Sequence, residues 1–180
     1  MNITNEHYSN QEGREGFLEN KFGSRSAEIS EYYKLDTMLS EDKNGGEDNS
    51  ILLPSLYECS YEVIRLIERG QFFGKTDLNI EGEVSNCHNN VIETFINSFE
   101  KSFSEFPQNH IPAKNKYQMV TGYALSEDGV WRNHSWLLLN NTKVVETTES
   151  RIKYFGVVLS DNKKGLYDKD ISEVFEFIRD

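Results

Sequence analysis

The chain has 180 residues, of which 37% are hydrophobic, and its formal net charge is −11 at pH 7. This length suits one domain that is large enough to bury a hydrophobic core. Such an acidic surface would repel the phosphates of a nucleic acid. No apolar run reaches membrane-spanning length and the N-terminus lacks a signal-peptide pattern, so we expect no membrane partner and a cytoplasmic, reducing location. Two cysteines are too few for a disulfide scaffold.

The first 50 residues differ from the rest of the chain. Asp and Glu outnumber Lys and Arg there, and Val, Trp, Cys and Pro are missing, so we expect a partly flexible segment over 1–50 and a folded domain over 51–180. Within the segment, apolar residues at loose helical spacing predict a helix from Ser26 to Leu39. The following acidic loop lacks the oxygen ligand and glycine of a calcium loop, because Gly46 and Glu47 stand at those positions.

A second helix is predicted after a capping box at 55–58. Its apolar stripe includes Cys59, for which core packing is the expected role, and it ends at Gly70. The next stretch, 73–76, resembles part of a phosphate-binding loop. Because Arg69 stands where that motif needs a glycine, the sequence does not support nucleotide binding.

The third predicted helix begins near Cys87. A polar, turn-prone stretch precedes the cysteine, and Ser85 or Asn86 can cap the helix. Cys87 then lies in the first turn, where free backbone N–H groups and the helix dipole favour a thiolate. This position suits a nucleophile, although many cysteines are simply small buried hydrophobes. Helical spacing of the apolar residues supports the assignment: Val91, Ile92, Phe95, Ile96 and Phe99.

The rest of the sequence predicts mainly strands. After a loop or short turn around Phe103, Phe106 and Pro107, alternating patterns predict four strands that form an antiparallel meander. A capped helix from Asp170 to Ile178 ends the chain. The predicted fold is therefore α+β, in which N-terminal helices, including the Cys87 helix, pack on the meander and a C-terminal helix follows. The four strands are Tyr117–Leu125, Val130–Leu139, Lys143–Thr148 and Ile152–Leu159.

Two polar residues stand out in these strands. His134 lies in a polar patch of an apolar strand, and Glu146 follows two β-branched residues, where an unpaired carboxylate would be costly to bury. A three-residue hairpin loop at 140–142 would set Trp136 opposite Glu146, with His134 diagonally adjacent on the same face. A two-residue loop would turn Glu146 to the other face. A four-residue loop would place Glu149 across from His134 instead.

These residue types can carry out acyl transfer together. The thiolate of Cys87 would attack an acyl carbon, His134 would move the proton, and Glu146 would orient the imidazole. The backbone N–H of Cys87 could stabilise the oxyanion, with Asn86 or Asn89 adding a side-chain amide, unless Asn86 is only a cap. Four aromatic residues would line a substrate groove or pack in the core: Trp131, Trp136, Tyr123 and Tyr154.

A cysteine that opens a helix, followed by a histidine on a strand and an acid on the next strand, resembles the papain-like superfamily. This group includes NlpC/P60 peptidases, transglutaminase-like enzymes and bacterial deamidases. The separation of 12 residues between His134 and Glu146 is similar to the NlpC/P60 arrangement. The resemblance covers about 82–159 and concerns order and topology, since the residues beside Cys87 do not reproduce the Cys-Trp pair common in papain and transglutaminase-like members.

The sequence predicts a cysteine-dependent hydrolase or acyltransferase that acts on an amide of a protein or peptide through a thioester. It leaves open proteolysis, deamidation and transglutamination. The alternative is a non-enzymatic acidic protein that binds a protein partner. We expect no metal and no cofactor, because paired ligand spacing such as Cys-x-x-Cys is missing and adjacent residues of a helix, Cys87 and His88, should point in different directions.

Overall fold

The computed structural model describes residues 26–40, 51–53, 60–105 and 116–159, which form a mixed α+β fold. In these ranges there are three helices, α1 (Ser26–Ser40), α2 (Ser60–Arg69) and α3 (Cys87–Glu105). There are seven strands: β1 (Ile51–Leu53), β2 (Gln71–Phe73), β3 (Leu78–Asn79), β4 (Tyr117–Leu125), β5 (Val130–Leu139), β6 (Lys143–Glu146) and β7 (Lys153–Val158). The predicted C-terminal helix, the capping box, Cys59 and the acidic loop after α1 lie outside the described residues.

The seven strands form one mostly antiparallel sheet. Its order is β2-β7-β4-β5-β6-β3, and β1 pairs in parallel with the start of β5. β3 and β6 are also parallel. The four longer strands coincide with the predicted ones to within two residues at each end, but β7 lies beside β4, where a simple meander would have put it beside β6.

The hairpin between β5 and β6 sets the register that matters for the site. Leu139 pairs with Lys143, so the loop has the three residues that the sequence analysis required. Asn140 and Asn141 both have positive φ, 53° and 67°, a conformation that asparagine tolerates better than most residues. Continuing the register by one pair places Trp136 opposite Glu146.

The three helices pack on one face of the sheet. Residues of α1 and α2 form a cluster with Tyr123, Trp131 and Phe155, and Val91 and Phe95 of α3 pack with a second group that includes Leu137 and Val145. Burial of these apolar side chains stabilises the fold.

α3 runs to Glu105. The prediction of a loop around Phe103 is therefore wrong at that residue, because the helix continues through it. None of the described helices is both long and apolar enough to span a membrane.

The opposite face of the sheet carries a third apolar cluster, to which Trp136, Val144 and Tyr154 belong. His134 and Glu146 lie on this face by strand alternation. Gly156 makes room for the cluster, because a Cβ there would lie 2.5 Å from the Trp136 ring. The polar pair is thus embedded in an aromatic environment.

The outer edge of β5 is interrupted next to His134. On that side, β1 pairs with 130–132 and β6 pairs with 137–139. Residues 133–136 pair with β4 on the inner side of β5, but on this outer side no strand among the described residues pairs with them. The first turn of α3 lies at this break, since His88 bonds to Ser135 and Asn90 bonds to the carbonyl of Thr147. The break therefore lets a residue from the helical side of the sheet reach His134 on the other side.

Candidate active site

Cys87 is the first residue of α3, as the sequence predicted for the first turn. The first backbone hydrogen bond of the helix runs from Asn90 N–H to the Asn86 carbonyl at 3.0 Å. The N–H groups of Cys87, His88 and Asn89 therefore precede the helical ladder, and their partial positive charge favours an anion. Ser85, with φ of 60°, forms the sharp bend into the helix.

Asn90 fixes the loop that leads to the cysteine. Its side-chain amide donates to the Glu83 carbonyl at 2.7 Å and to the Thr147 carbonyl at 3.2 Å, and its oxygen accepts from Glu83 N–H at 3.2 Å. Gly82 allows the close approach, since a Cβ at this position would lie 2.6 Å from the Asn90 amide nitrogen and from the Thr147 carbonyl oxygen. Asn90 thus joins the loop before Cys87 to the chain just after Glu146.

Glu146 has no exposed surface and is surrounded by donors. Its Oε2 accepts hydrogen bonds from His134 Nε2 and Tyr154 OH, each at 2.8 Å. Its Oε1 accepts from Thr147 N–H at 2.8 Å and from both the N–H and the hydroxyl of Thr148 at 3.0 Å. Burial alone would raise the pKa of this carboxyl, but the bonds and the charge of His134 lower the pKa below 4.5. Glu146 is therefore a fixed carboxylate.

His134 lies between this carboxylate and Cys87. Because Nε2 bonds to Glu146, Nδ1 is the nitrogen left to face the thiol. Burial lowers the pKa of this imidazole, but its hydrogen bonds with Cys87 and Glu146 and their negative charges raise the pKa from 6.5 to about 9. The Trp136 ring stacks alongside, with centroids 6.5 Å apart and an interplanar angle of 14°, which restricts rotation of the imidazole.

The Cys87 thiol is half-buried and free. Burial raises the pKa of this thiol, but hydrogen bonds with His134 and His88, together with their charges, outweigh it and lower the pKa from 9.0 to about 5. A thiolate and an imidazolium therefore coexist from about pH 5 to about pH 9. Such a pair combines a nucleophile with a proton donor at neutral pH.

His88 belongs to this site, contrary to the expectation that it and Cys87 point in different directions. Its ring is close enough to the Cys87 thiol to help lower the pKa of that thiol, and its Nδ1 lies 2.7 Å from Ser135 Oγ. The physical reason is that Cys87 and His88 lie at the very start of the helix, beside the interrupted edge of β5, so both side chains can turn toward that strand. In the sequence, the polar residue Ser135 directly after His134 was the signal that could have indicated this contact.

Tyr154 and Thr76 extend the network behind Glu146. The Tyr154 hydroxyl, which donates to Glu146, also lies 2.7 Å from Thr76 Oγ1. Burial and the charge of Glu146 raise the pKa of this phenol, so it stays a neutral donor. Thr76 Oγ1 in turn accepts from Arg151 N–H at 2.9 Å. Sequence analysis had considered Tyr154 only as a groove or core residue and Thr76 only in a phosphate loop.

Other predicted site residues have contacts that differ from those expected. The Asn86 amide donates to Glu83 Oε2 at 2.9 Å, and its oxygen accepts from the Asn89 amide at 2.7 Å. The two expected oxyanion donors are thus bonded within the loop and first turn, and the Asn86 side chain bonds Asn89 where a capping bond to backbone N–H was expected. Glu149, the reserve acid, is exposed and lies 3.3 Å from Arg151.

The aromatic residues expected to line a groove are core residues. Trp136 is fully buried against Tyr154, with ring centroids 4.8 Å apart, so it offers no surface to a substrate. Trp131, Tyr123 and Tyr154 also have no exposed surface. Their large apolar rings are worth more in the core than on the surface, which is the general reason for this outcome. Among the described residues, no group of His, Cys, Asp and Glu side chains could hold a metal ion.

Comparisons of the chain with protein-family models, with curated proteins and with solved structures gave no match in any of the three.

Proposed function

We propose that the protein is a cysteine-dependent acyl-transfer enzyme in which Cys87 is the nucleophile, His134 the proton carrier and Glu146 the orienting acid. The observation that carries the proposal is the hydrogen bond of His134 Nε2 to a fully buried Glu146, on a histidine that in turn lowers the pKa of the Cys87 thiol. Burying a carboxylate and an imidazole together costs free energy unless both are paired. Groups with strongly displaced pKa values in contact with one another are typical of active sites.

The reaction would begin with attack of the Cys87 sulfur on the carbonyl carbon of an amide. As the C–S bond forms, the carbonyl π electrons move to oxygen and give a tetrahedral oxyanion. The C–N bond then breaks and the amine leaves with the proton from His134 Nδ1, so His134 becomes neutral. Neutral His134 next takes a proton from water or from an acceptor amine, which attacks the thioester and releases the thiolate. Glu146 keeps the imidazole in one orientation throughout.

Stabilisation of the oxyanion is assigned to the start of α3. The backbone N–H of Cys87 precedes the helical ladder and lies next to the attacking sulfur. Such preorganised donors contribute strongly to acyl transfer. The side chains of Asn86 and Asn89 are not needed for this role, since each is already bonded to the other.

The order of the three groups supports the papain-like assignment as part of this proposal. The cysteine opens a helix, the histidine lies on β5 and the acid on the adjacent β6. The substrate would be an amide of a protein or peptide, and the acceptor, water or amine, decides between hydrolysis and transfer. A reducing compartment such as the cytoplasm would keep the thiolate free.

The proposal is tested by searching for the acyl-enzyme. Wild-type protein is incubated with peptides from a cell extract and quenched in acid, and the Cys87 peptide is analysed by mass spectrometry for a hydroxylamine-sensitive adduct. We expect the adduct in wild type and its loss in His134→Ala, with circular dichroism showing that the variant is folded. Turnover that persists in Cys87→Ala would refute the proposal. A partner retained equally by wild type, Cys87→Ala and His134→Ala would instead indicate a binding protein.

A further inference from the structure

Two hydroxyl side chains interrupt the apolar surface on the helical face of the sheet. Thr121 on β4 and Ser135 on β5 lie opposite each other in the register. They separate the two apolar clusters of this face, one of which contains Tyr123 and the other Leu137. Only 6% of Ser135 is exposed. Because a hydroxyl buried to this extent costs free energy unless it is hydrogen-bonded, its presence here requires polar partners.

The partner from the helical layer is His88. Ser135 Oγ donates to Thr121 Oγ1 at 3.1 Å, so the Ser135 oxygen is left to accept from His88 Nδ1 at 2.7 Å. These bonds run from the first turn of α3 across β5 to β4. Asn90 supplies a second attachment of the same turn through its bond to the Thr147 carbonyl. The start of α3 is thus fixed to the sheet at two points.

The bond between His88 and Ser135 bears directly on the position of the nucleophile. Cys87 precedes His88 in the helix, and His134 precedes Ser135 in β5. Successive residues of a strand point to opposite faces of the sheet, so Ser135 faces the helices and His134 faces away from them. Two consecutive helix residues therefore meet two consecutive strand residues at the open edge of β5. A shift of His88 away from Ser135 would carry the sulfur with it.

We propose that Ser135, held by Thr121, is a positioning residue that acts through the side chain of His88 to keep the first turn of α3 where Cys87 meets His134. This role requires a hydrogen-bond donor at the place of His88 Nδ1, but it does not require an imidazole that titrates. In acyl transfer the placement would keep the attacking sulfur and the proton carrier in one geometry. Only that consequence rests on the proposed function, because the position of the sulfur is measurable without a substrate.

The experiment measures the pH dependence of Cys87 alkylation by iodoacetamide on the full chain, with peptide mapping to separate Cys87 from Cys59. In wild type we expect the rate to rise with a midpoint at about pH 5. Ser135→Ala removes the acceptor of His88 Nδ1, so the sulfur should move away from His134 and the midpoint should rise by about one to two pH units. A purely structural role of Ser135 would lower stability and leave this midpoint in place.

Variants of His88 separate a positioning role from a titrating one. Asparagine can place its amide nitrogen near the position of His88 Nδ1, so His88→Asn should keep the bond to Ser135 and a midpoint close to that of wild type. His88→Ala removes the bond, and its midpoint should rise as far as that of Ser135→Ala. Because both variants break the same bond, combining them should add nothing further.

Glu93→Gln, at an exposed position of the same helix, is the control and should match wild type. Equal midpoints for wild type and a Ser135→Ala protein shown to be folded by circular dichroism would overturn the proposal. If Ser135→Ala does not fold, the two variants of the half-buried His88 make the same comparison. A midpoint as high in His88→Asn as in His88→Ala would also overturn it, since the imidazole itself would then be responsible. A raised midpoint in Ser135→Ala without any acyl-enzyme in wild type would keep this inference and reject the proposed function.

Discussion

His134 Nε2 and Glu146 Oε2 are joined by a hydrogen bond of 2.8 Å between two strands, with 4% of the histidine and none of the glutamate exposed. This contact holds a charged imidazole where burial would otherwise remove its proton. The other imidazole nitrogen is then available to Cys87. The reactivity of the cysteine therefore depends on a carboxylate that it does not touch.

Glu146→Gln should shift the alkaline limit of activity. Without the negative charge, the pKa of His134 should fall from about 9 toward its ordinary value of 6.5, so the imidazolium is lost at lower pH. We expect kcat/KM to fall ~10²-fold at neutral pH, less than in His134→Ala, and its alkaline limb to move to lower pH. The pH profile of kcat/KM checks this. Glu149→Gln, an exposed carboxylate nearby, is the matched control, and an unmoved alkaline limb in Glu146→Gln would contradict the assignment.

Tyr154→Phe should weaken the support of Glu146. The substitution removes one of two donors to Oε2 and leaves the Thr76 hydroxyl without its phenol partner. We expect a loss of about 1–3 kcal/mol in the free energy of unfolding, together with slower alkylation of Cys87 near neutral pH. Denaturant unfolding measures the first effect. Tyr123→Phe, at a buried tyrosine on the helical face of the sheet, is the control and should leave the alkylation rate unchanged.

Protein stability should depend on pH in a pattern that identifies the ion pair. The Cys87 pKa is lowered from 9.0 to about 5, so its contribution is complete above pH 9 and is lost as pH falls toward 5. The His134 pKa is raised from 6.5 to about 9, so its contribution is complete below pH 6.5 and is lost as pH rises toward 9. Between pH 6.5 and 9 the two contributions to stability change in opposite directions and cancel. Between pH 5 and 6.5 only the contribution of Cys87 changes with pH.

The contribution of this pair to the free energy of unfolding should thus rise by about 1.4 kcal/mol per pH unit from pH 5 to 6.5 and then stay level. Urea unfolding at several pH values, compared with Cys87→Ala, isolates the contribution. The difference between the two proteins should be smallest near pH 5. A pH-independent difference would mean that the thiol and imidazole are uncharged in the folded protein.

Gly82→Ala should lower the reactivity of Cys87 although the added methyl group does not contact the cysteine. A methyl group there would lie 2.6 Å from the Asn90 amide and the Thr147 carbonyl, neither of which is a flexible end that can easily move away. We expect a loss of about 1–3 kcal/mol in unfolding free energy and slower alkylation of Cys87, because the loop before α3 shifts. Gly74→Ala is the control, since a Cβ there meets nothing within 4 Å. Unchanged alkylation in Gly82→Ala would show that the loop does not position the cysteine.

Local patterns in the sequence predicted the helix and the strands that carry Cys87, His134 and Glu146. The period of two predicted β4 and β5. The sequence left open whether the next loop has two, three or four residues; the structure has three, with positive φ at Asn140 and Asn141, and this length pairs Trp136 with Glu146. The helical period of the residues after Cys87 gave the start of α3. Each of these features depends on residues close to one another in the chain.

The features that were not predicted depend on distant contacts. β1, β2 and β3 have only two or three residues each, too few for a periodic signal, and two of them pair in parallel with strands far along the chain. The place of β7 beside β4 follows from the chain leaving the sheet after Glu146, where Asn90 binds the Thr147 carbonyl. The contact of His88 with Ser135 likewise required knowing where α3 meets the sheet.

The most direct test is the ionisation of Cys87 itself. The ultraviolet absorbance of the thiolate is followed during a pH titration of the wild-type protein, and the titration of Cys87→Ser is subtracted from it. The account predicts a thiolate that forms with a midpoint at about pH 5 and persists at neutral pH. A midpoint near the ordinary thiol value of 9.0 would contradict it, because Cys87 would then carry its own proton and no ion pair with His134 would exist.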